Sequence, residues 1–121
     1  MRKVRLDDLD SRMGPAARSL PLTDALGLAD AAMNFYELEP GDSFAYGFHA
    51  HAEQEEVFYV LDGRLSVETP DRVFTVEPGQ FFVAEPGSPH RAHNAAEADR
   101  ALRVIGMGAP PQSDGHSYGE S

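Results

Sequence analysis

The sequence contains no cysteine, a single lysine and no long hydrophobic run. Without cysteine there is no disulfide, no thiolate nucleophile and no sulfur-ligated metal, so any metal must be held by imidazole and carboxylate groups. No segment approaches the roughly 20 consecutive apolar residues that a membrane-spanning helix requires. The basic N-terminal residues are not followed by an apolar stretch, which argues against a secretory signal. A cytoplasmic protein is therefore expected.

Acidic residues outnumber basic residues by 20 to 10, which gives a formal net charge of -10. A strongly acidic surface repels nucleic acid and anionic membranes, so neither is expected as a partner. Because the only lysine is Lys3, the composition is compatible with a halophilic protein whose self-repulsion is screened in a salt-rich cytoplasm. An ordinary acidic protein is the second interpretation of this composition, and an acidic binding patch is the third.

The pattern of turns predicts one all-β domain with a segment on either side of it. Between residues 34 and 107, short apolar or alternating runs such as EEVFYVL and RVFTVE are separated by turn signals about every 8 to 12 residues. That spacing is typical of a barrel or sandwich built from hairpins. Residues 1–33 contain a proline-punctuated stretch, MGPAARSLPL, expected to be a linker, and a possible helix, LTDALGLADAAM, capped by Thr23 or Asp24. Residues 108–121 are expected to form a flexible tail.

Three histidines and one glutamate of the β region have the chemistry of a metal site. His49 and His51 are two residues apart, so on a strand they project from one face at about 6.5–7 Å. Glu56 follows a short turn at the head of the next strand, and His90 begins a later strand after a Pro-Gly-Ser-Pro turn. Such a donor set suits Fe, Mn, Zn, Ni, Co or Cu and argues against Ca or Mg. The alternative is that the histidines of the His-x-His pair are only surface or packing residues.

Two segments resemble the sequence motifs of the cupin superfamily. HAHAEQEEVFYVLDG, residues 49–63, resembles the first motif, and GQFFVAEPGSPHRAHN, residues 79–94, resembles the second. The resemblance spans about residues 34 to 107. Ser43 and Glu85 replace a usual glycine and a usual proline of the family, and neither replacement affects a ligand position.

This resemblance implies a double-stranded β-helix, or jelly-roll barrel, with one divalent transition metal inside it. The implied ligands are His49, His51, Glu56 and His90. Glu55 is the alternative to Glu56, but the family's fixed interval before Gly63 favours Glu56. Two further positions are assigned by parity with His90: His93 should point away from the metal, and Asn94 should either support the site or cap the end of the strand.

Strand parity also predicts what lines the site and what faces outward. Phe58 and Val60 share the inner face with Glu56, which makes the cavity apolar. The opposite faces carry large residues that would form one outward apolar patch, and such a patch marks an interface. Either the N-terminal residues fold back over this patch or it forms a homodimer, with or without exchange of the N-terminal strand. The predicted patch consists of Phe44, Tyr46, Phe48, Val57, Tyr59 and Leu61.

Three functions are compatible with these residues. The first is a metal-dependent enzyme, of dioxygenase, isomerase or lyase type, acting on a small polar molecule. The second is a non-catalytic module that binds or senses a small ligand through its metal. The third is a structural metal in a stabilised barrel. Because one barrel hosts unrelated activities, the fold alone does not choose between them.

Overall fold

The computed structural model describes residues 1–44, 48–111 and 115–117, and for His49 and residues 115–117 it describes the backbone. The all-β prediction is confirmed: the described residues form ten strands, a 3-10 helix (Leu6–Asp8) and one short α-helix, α1 (Thr23–Leu26). Neither helix has the length or the apolar character needed to cross a membrane. The strands are β1 (Arg18–Pro21), β2 (Ala32–Leu38), β3 (His49–His51), β4 (Glu55–Asp62), β5 (Leu65–Glu68), β6 (Val73–Val76), β7 (Phe81–Ala84), β8 (Arg91–His93), β9 (Leu102–Ala109) and β10 (Gly115–Ser117).

These strands form three antiparallel sheets. A five-stranded sheet has the order β1-β2-β9-β4-β7, a three-stranded sheet has the order β6-β5-β8, and β10 pairs with β3. Side chains from the two larger sheets pack into one apolar core. The contribution of the five-stranded sheet includes Val60 and Val104, and that of the three-stranded sheet includes Leu65 and Val67. Burial of these side chains is the main source of stability.

The alternation of β4 follows the sequence prediction, with Phe58 and Val60 buried on the inner face. On β9, Gly106 is paired with Phe58 and Gly108 with Glu56, and larger residues would not fit at either glycine. A Cβ atom on Gly108 would lie 2.6 Å from Cδ of Gln54, and one on Gly106 would lie 3.3 Å from the rings of Phe58 and Tyr36. The two glycines therefore leave room inside the barrel for polar and aromatic side chains beside the candidate site.

The N-terminal segment packs on the outer face of the five-stranded sheet. Strand β1 pairs with β2 of its own chain, with Leu20 opposite Phe35. Leu20, Leu22 and Phe35 are buried together. Leu6, Leu9, Leu26, Met33 and Ile105 pack around them. The predicted linker thus contains a strand, because its apolar residues alternate against an exposed edge of the barrel.

The predicted helix in this segment is much shorter than expected. It ends after Leu26 because Gly27 adopts a left-handed conformation, with φ of 68°. Thr23 and Asp24 do not cap it: the N-cap is Leu22, and no side chain caps the helix. The hydroxyl of Thr23 instead accepts a hydrogen bond from the backbone N–H of Met33 at 2.9 Å. The side chain thereby ties the helix to β2.

At the other end of the chain, β10 pairs with β3, with Gly115 opposite His51. Residues 115–117 thus form a strand, and the flexible tail expected over residues 108–121 stays a prediction. Strand β2 also begins at Ala32 and β9 ends at Ala109, so both extend slightly beyond the predicted barrel limits of 34–107.

The outer face of the five-stranded sheet is only partly covered. Val57, Tyr59 and Leu61 lie on it as predicted, with the inner residues of β4 between them. The prediction that Phe44 faces outward is wrong. Its ring lies inside the barrel, where its centroid is 4.6 Å from that of Tyr36 in a stacked pair and 5.1 Å from that of Phe58 in an edge-on pair. Phe48 is half-buried, and Tyr46 lies outside the described residues.

The N-terminal residues therefore fold back over only a part of the outer face, and the homodimer stays a prediction for the rest. The N-terminal segment covers β2 and Ile105 of β9, whereas Met107 of β9 is 41% exposed. The side formed by β4 and β7 stays open: Phe81 is 67% exposed, Val83 47% and Leu61 42%.

Candidate metal centre

The local backbone brings the predicted ligands from three separate segments to one place. Strand β3 carries His49 and His51, and Glu56 is the second residue of β4. The turn before His90 is tied directly to the histidine strand, because the N–H of Gly87 donates to the carbonyl of His51 at 2.7 Å. Gly87 has a φ of 81°, a conformation that glycine adopts without the strain of a side chain. This turn delivers His90 to the barrel interior.

Two of the histidines meet one oxygen atom of Glu56. Nε2 of His90 lies 3.0 Å from Oε1 of Glu56, and Nε2 of His51 lies 3.4 Å from the same oxygen. His90 is buried, with 2% of its surface exposed. Glu55, the residue before Glu56, is exposed to solvent. Glu56 is therefore the glutamate that faces the histidines. The side chain of His49 is outside the described atoms, although its backbone lies on the same strand as His51.

The ring of His90 is held on both sides. Its Nδ1 lies 2.9 Å from the carbonyl oxygen of Ser88, which can only accept, so Nδ1–H is the donor and Nε2 faces Glu56. Burial lowers the pKa of His90, but the hydrogen bond with Glu56, the bond to Ser88 and the charge of Glu56 together outweigh it and raise the pKa. An imidazole fixed through Nδ1 in this way presents Nε2 to a metal in many sites.

The donor types suit a divalent transition metal, and two distances between them can be compared with those expected around one ion. Two donors bound to one ion at about 2.1 Å lie about 3.0 to 3.4 Å apart at coordination angles of about 90° to 109°. The Nε2–Oε1 distances of 3.0 and 3.4 Å are compatible with that range. Within the described side chains, no group of three or more histidine, aspartate and glutamate residues completes a metal-binding cluster. The side chain of His49, the remaining predicted ligand, lies outside the described atoms and is not counted among these residues.

His93 points away from this centre, as parity predicted. Its Nε2 lies 3.8 Å from Oε2 of Glu68 on β5. Its Nδ1 is the buried side-chain polar atom that lacks a hydrogen-bond partner in the described part of the chain. Burial, and then the charge of Arg91, lower the pKa of His93. The neutral ring is therefore the favoured form.

Asn94 has a structural role at the end of a strand. It is 1% exposed, and its Nδ2 donates to the carbonyls of Leu38 and Arg100 at 3.0 Å each. These contacts favour the strand-end interpretation over a role in support of the metal ligands.

A cavity of about 510 Å³ opens beside His51 and Glu56. Its apolar wall includes Phe44 and Phe58. Its polar wall contains side chains that the sequence analysis did not assign to the site: Arg12, Asn34, Tyr36 and Gln54. Asn34 and Tyr36 are two residues apart on β2, so strand alternation could have predicted from the sequence that both face the same side of the sheet. Arg12 had no local signal, because the fold of the N-terminal segment brings it to the cavity.

Solved structures show the same architecture. A sugar phosphate isomerase of the cupin superfamily from Silicibacter pomeroyi superposes with a TM-score of 0.83 over 98% of this chain and 83% of its own, at 24% identity. The polyketide cyclase RemF from Streptomyces resistomycificus superposes with a TM-score of 0.81 over 100% of this chain and 87% of its own, at 23% identity. At these identities the likeness establishes the fold, a double-stranded β-helix.

Sequence comparison gives the family. An uncharacterized protein of Streptomyces coelicolor is 27% identical over 113 residues, which is 93% of this chain and all of the relative. The sequence model of the Cupin domain matches residues 34–105, more than half of the chain. Together with the motif residues on β3, β4 and the turn before β8, this match shows that the protein belongs to the cupin family.

Proposed function

We propose that this protein is a metal-dependent enzyme that acts on a small polar molecule. One divalent transition metal would be held by His49, His51, Glu56 and His90. The observation that carries the proposal is the approach of two imidazole Nε2 atoms to one carboxylate oxygen beside a cavity large enough for a small organic molecule. When bound, a metal with such ligands supplies Lewis-acid or oxygen-activating chemistry.

The remaining residues of the cavity would position the substrate and limit its hydration. Phe44 and Phe58 form a T-shaped pair on one wall and exclude water from that side. Gln54 is buried, and its Nε2 donates to the carbonyl of Pro110 at 2.9 Å, which fixes the segment that follows β9. The bond from Nδ1 of His90 to Ser88 holds the ring in one orientation. These contacts give the site a preformed shape, as substrate pockets usually have.

The reaction class within this proposal is an isomerase, lyase or dioxygenase type. The two solved structures compared above are an isomerase and a cyclase by name, and their likeness supports the fold rather than the reaction. Elemental analysis of protein purified without a metal-affinity tag would narrow the class. Iron or manganese would favour oxygen chemistry, whereas zinc or nickel would favour an isomerase or lyase.

Metal content is expected to fall at least tenfold in His90→Ala and in Glu56→Ala, because each substitution removes one donor from a set of four. His93→Ala is the matched control: it also removes an imidazole from the same segment, but one that faces Glu68. Its metal content should equal that of the wild type. Elemental analysis of the three variants, with circular dichroism to verify folding, makes the measurement. Equal loss in all three would overturn the ligand assignment.

We also propose a homodimer formed through the open half of the outer face. Two rows of apolar side chains cross it, one through Val83 and Val57 and one through Phe81 and Tyr59. Met107 continues the first row and is also exposed. A contiguous exposed patch of this kind usually marks a protein interface. Since β1 pairs within its own chain, the proposed dimer requires no strand exchange.

Phe81→Glu is expected to convert the dimer into a monomer, because it places a charge in the middle of an apolar contact. Val73→Glu is the control, since Val73 is similarly exposed, at 60%, but lies on β6 in the three-stranded sheet. That variant should stay dimeric. Light scattering at matched concentrations measures both masses. A wild-type protein that is monomeric at all concentrations would contradict the proposal.

A further inference from the structure

Three polar side chains form a connected group on the wall of the cavity. Nη2 of Arg12 donates to Oδ1 of Asn34. Asn34 and Tyr36 are two residues apart on β2 and line the same cavity, and the Asn34 side chain acts on the pKa of Tyr36. The ring of Tyr36 is in turn held against Phe44. The group therefore spans from the N-terminal segment to β2 and is fixed at both ends.

In the part of the chain that the structure describes, no carboxylate neutralises the charge of Arg12. Among the described residues it forms no ion pair, and its partner Asn34 is a neutral amide. Most other arginines of the structure differ in this respect, because they lie beside carboxylates: Arg18, Arg64, Arg91, Arg100 and Arg103. The backbone of the Arg12 segment is held in place, since Arg12 N–H donates to the carbonyl of Ser19 at 2.8 Å. Arg12 is thus a solvent-exposed cation, held by one side-chain and one backbone hydrogen bond, with free donors at the cavity.

Tyr36 adds a neutral donor to this cation. Burial and then the charge of Glu56 raise the pKa of Tyr36, so its hydroxyl keeps its proton at neutral pH. The planar fork of arginine matches the oxygens of a carboxylate or phosphate, and hydrogen bonds from a charged donor are the stronger kind. Two lining carboxylates oppose an anion: Asp24, which is exposed to solvent at the same cavity, and Glu56 of the candidate metal centre.

We propose that Arg12, Asn34 and Tyr36 form an oxyanion-binding subsite, so that the substrate is a small molecule carrying a carboxylate or phosphate group. The inference rests on the proposed function, because it names the substrate class for the same cavity. The anionic group binds to the Arg12 side, while a polar part of the molecule faces His51 and Glu56. Binding energy from the anionic end then orients the reacting end, as remote contacts do in many enzymes.

The test is an anion titration with defined probes. Inorganic phosphate and malonate are added separately to zinc-loaded and metal-free protein, and binding is measured by calorimetry against sodium chloride of equal ionic strength. Phosphate or malonate should bind wild-type protein in both forms, and the tighter of the two identifies the group preferred. Arg12→Gln should weaken this binding at least tenfold, and Asp24→Asn should strengthen it.

The matched control is Arg72→Gln. Arg72 is also exposed and without a carboxylate partner among the described residues, but its guanidinium lies over the ring of Phe74, 4.3 Å from the centroid. Binding by this variant should equal that of the wild type. The proposal is overturned if neither probe binds, or if Arg12→Gln and Arg72→Gln bind them equally.

Metal analysis separates this failure from failure of the proposed function. Arg12→Gln should retain the zinc content of the wild type, because Arg12 is not a predicted ligand. Normal zinc content without Arg12-dependent anion binding would overturn the subsite and leave the metal proposal intact. If the ligand variants failed their metal test while anion binding still depended on Arg12, the metal proposal would be overturned and the subsite would stand.

Discussion

Replacing Gly63 with alanine is expected to lower the free energy of unfolding by roughly 3 kcal/mol or more. Gly63 has a φ of 80°, and a Cβ atom there would lie 2.6 Å from the carbonyl oxygen of Ala101 and 2.9 Å from Cα of Leu102. Both neighbours are backbone atoms, so neither can rotate away. Relief requires β4 and β9 to separate next to buried Leu102. Chemical denaturation of the purified variant, with the wild type in parallel, measures the loss.

Gly79→Ala separates the steric cost from the conformational one. Gly79 has a nearly identical φ of 84°, but a Cβ atom there would meet nothing within 4 Å. This variant should lose only about 1–2 kcal/mol, the usual cost of the left-handed conformation for a residue with a side chain. The difference between the two variants is the energy of the contact with β9. Equal losses would mean that the chain relaxes freely around Gly63.

Metal-free and metal-loaded protein are expected to respond to acid in opposite directions above about pH 6.5, the ordinary histidine pKa. In the metal-free protein the pKa of His90 is raised, because its contacts with Glu56 and Ser88 outweigh burial. A raised pKa stabilises the folded state fully below the unfolded value, and that contribution is lost as pH rises through the folded value. Acidification towards pH 6.5 should therefore stabilise the metal-free protein.

The metal-loaded protein should instead lose stability, because protons compete with the metal for Nε2 of the histidines. A metal at a hundredfold excess over its dissociation constant adds about 2.7 kcal/mol, or roughly 10 °C in melting temperature for a domain of this size. That increment should disappear on acidification. Thermal melts of both forms across pH make the comparison, and identical profiles would show that the site contributes nothing to folding.

The control for this experiment is His90→Gln in the metal-free state. His93 has a lowered pKa, so its contribution is present above the ordinary histidine value and is lost as pH falls through the folded one. This trend opposes that of His90, but it is common to both proteins. The difference between wild type and His90→Gln therefore isolates the pair with Glu56. If the variant keeps the full pH response, the raised pKa of His90 does not affect stability.

Local patterns of the sequence were sufficient to predict the barrel strands and part of the site. The alternation of β4 placed Phe58 and Val60 inside because a strand has a fixed period of two. Motif spacing chose Glu56 over Glu55, and the structure places Glu56 between His51 and His90. These features depend on residues close together in the chain or on turns of fixed length.

Features that depend on the path of the chain could not be predicted in this way. Phe44 lies before β3, which begins at His49, so alternation counted back from the histidines did not apply to it. Arg12 reaches Asn34 across 22 positions, and only the fold of the N-terminal segment creates that contact. The division of the outer face between the N-terminal segment and open surface likewise depends on where β1 pairs, which no local signal specified.

The pairing of β10 with β3 links the end of the described chain to the histidines. In the part of the chain that the structure describes, β10 is the strand that pairs with β3 along its length, residue for residue from His49 to His51. A two-stranded sheet has little stability of its own. Fraying of the last strand would therefore loosen two predicted ligands while the larger sheets remain folded, as small units of a structure often open separately. If the proposed metal centre forms, order of β10 would therefore affect metal retention through the backbone of β3.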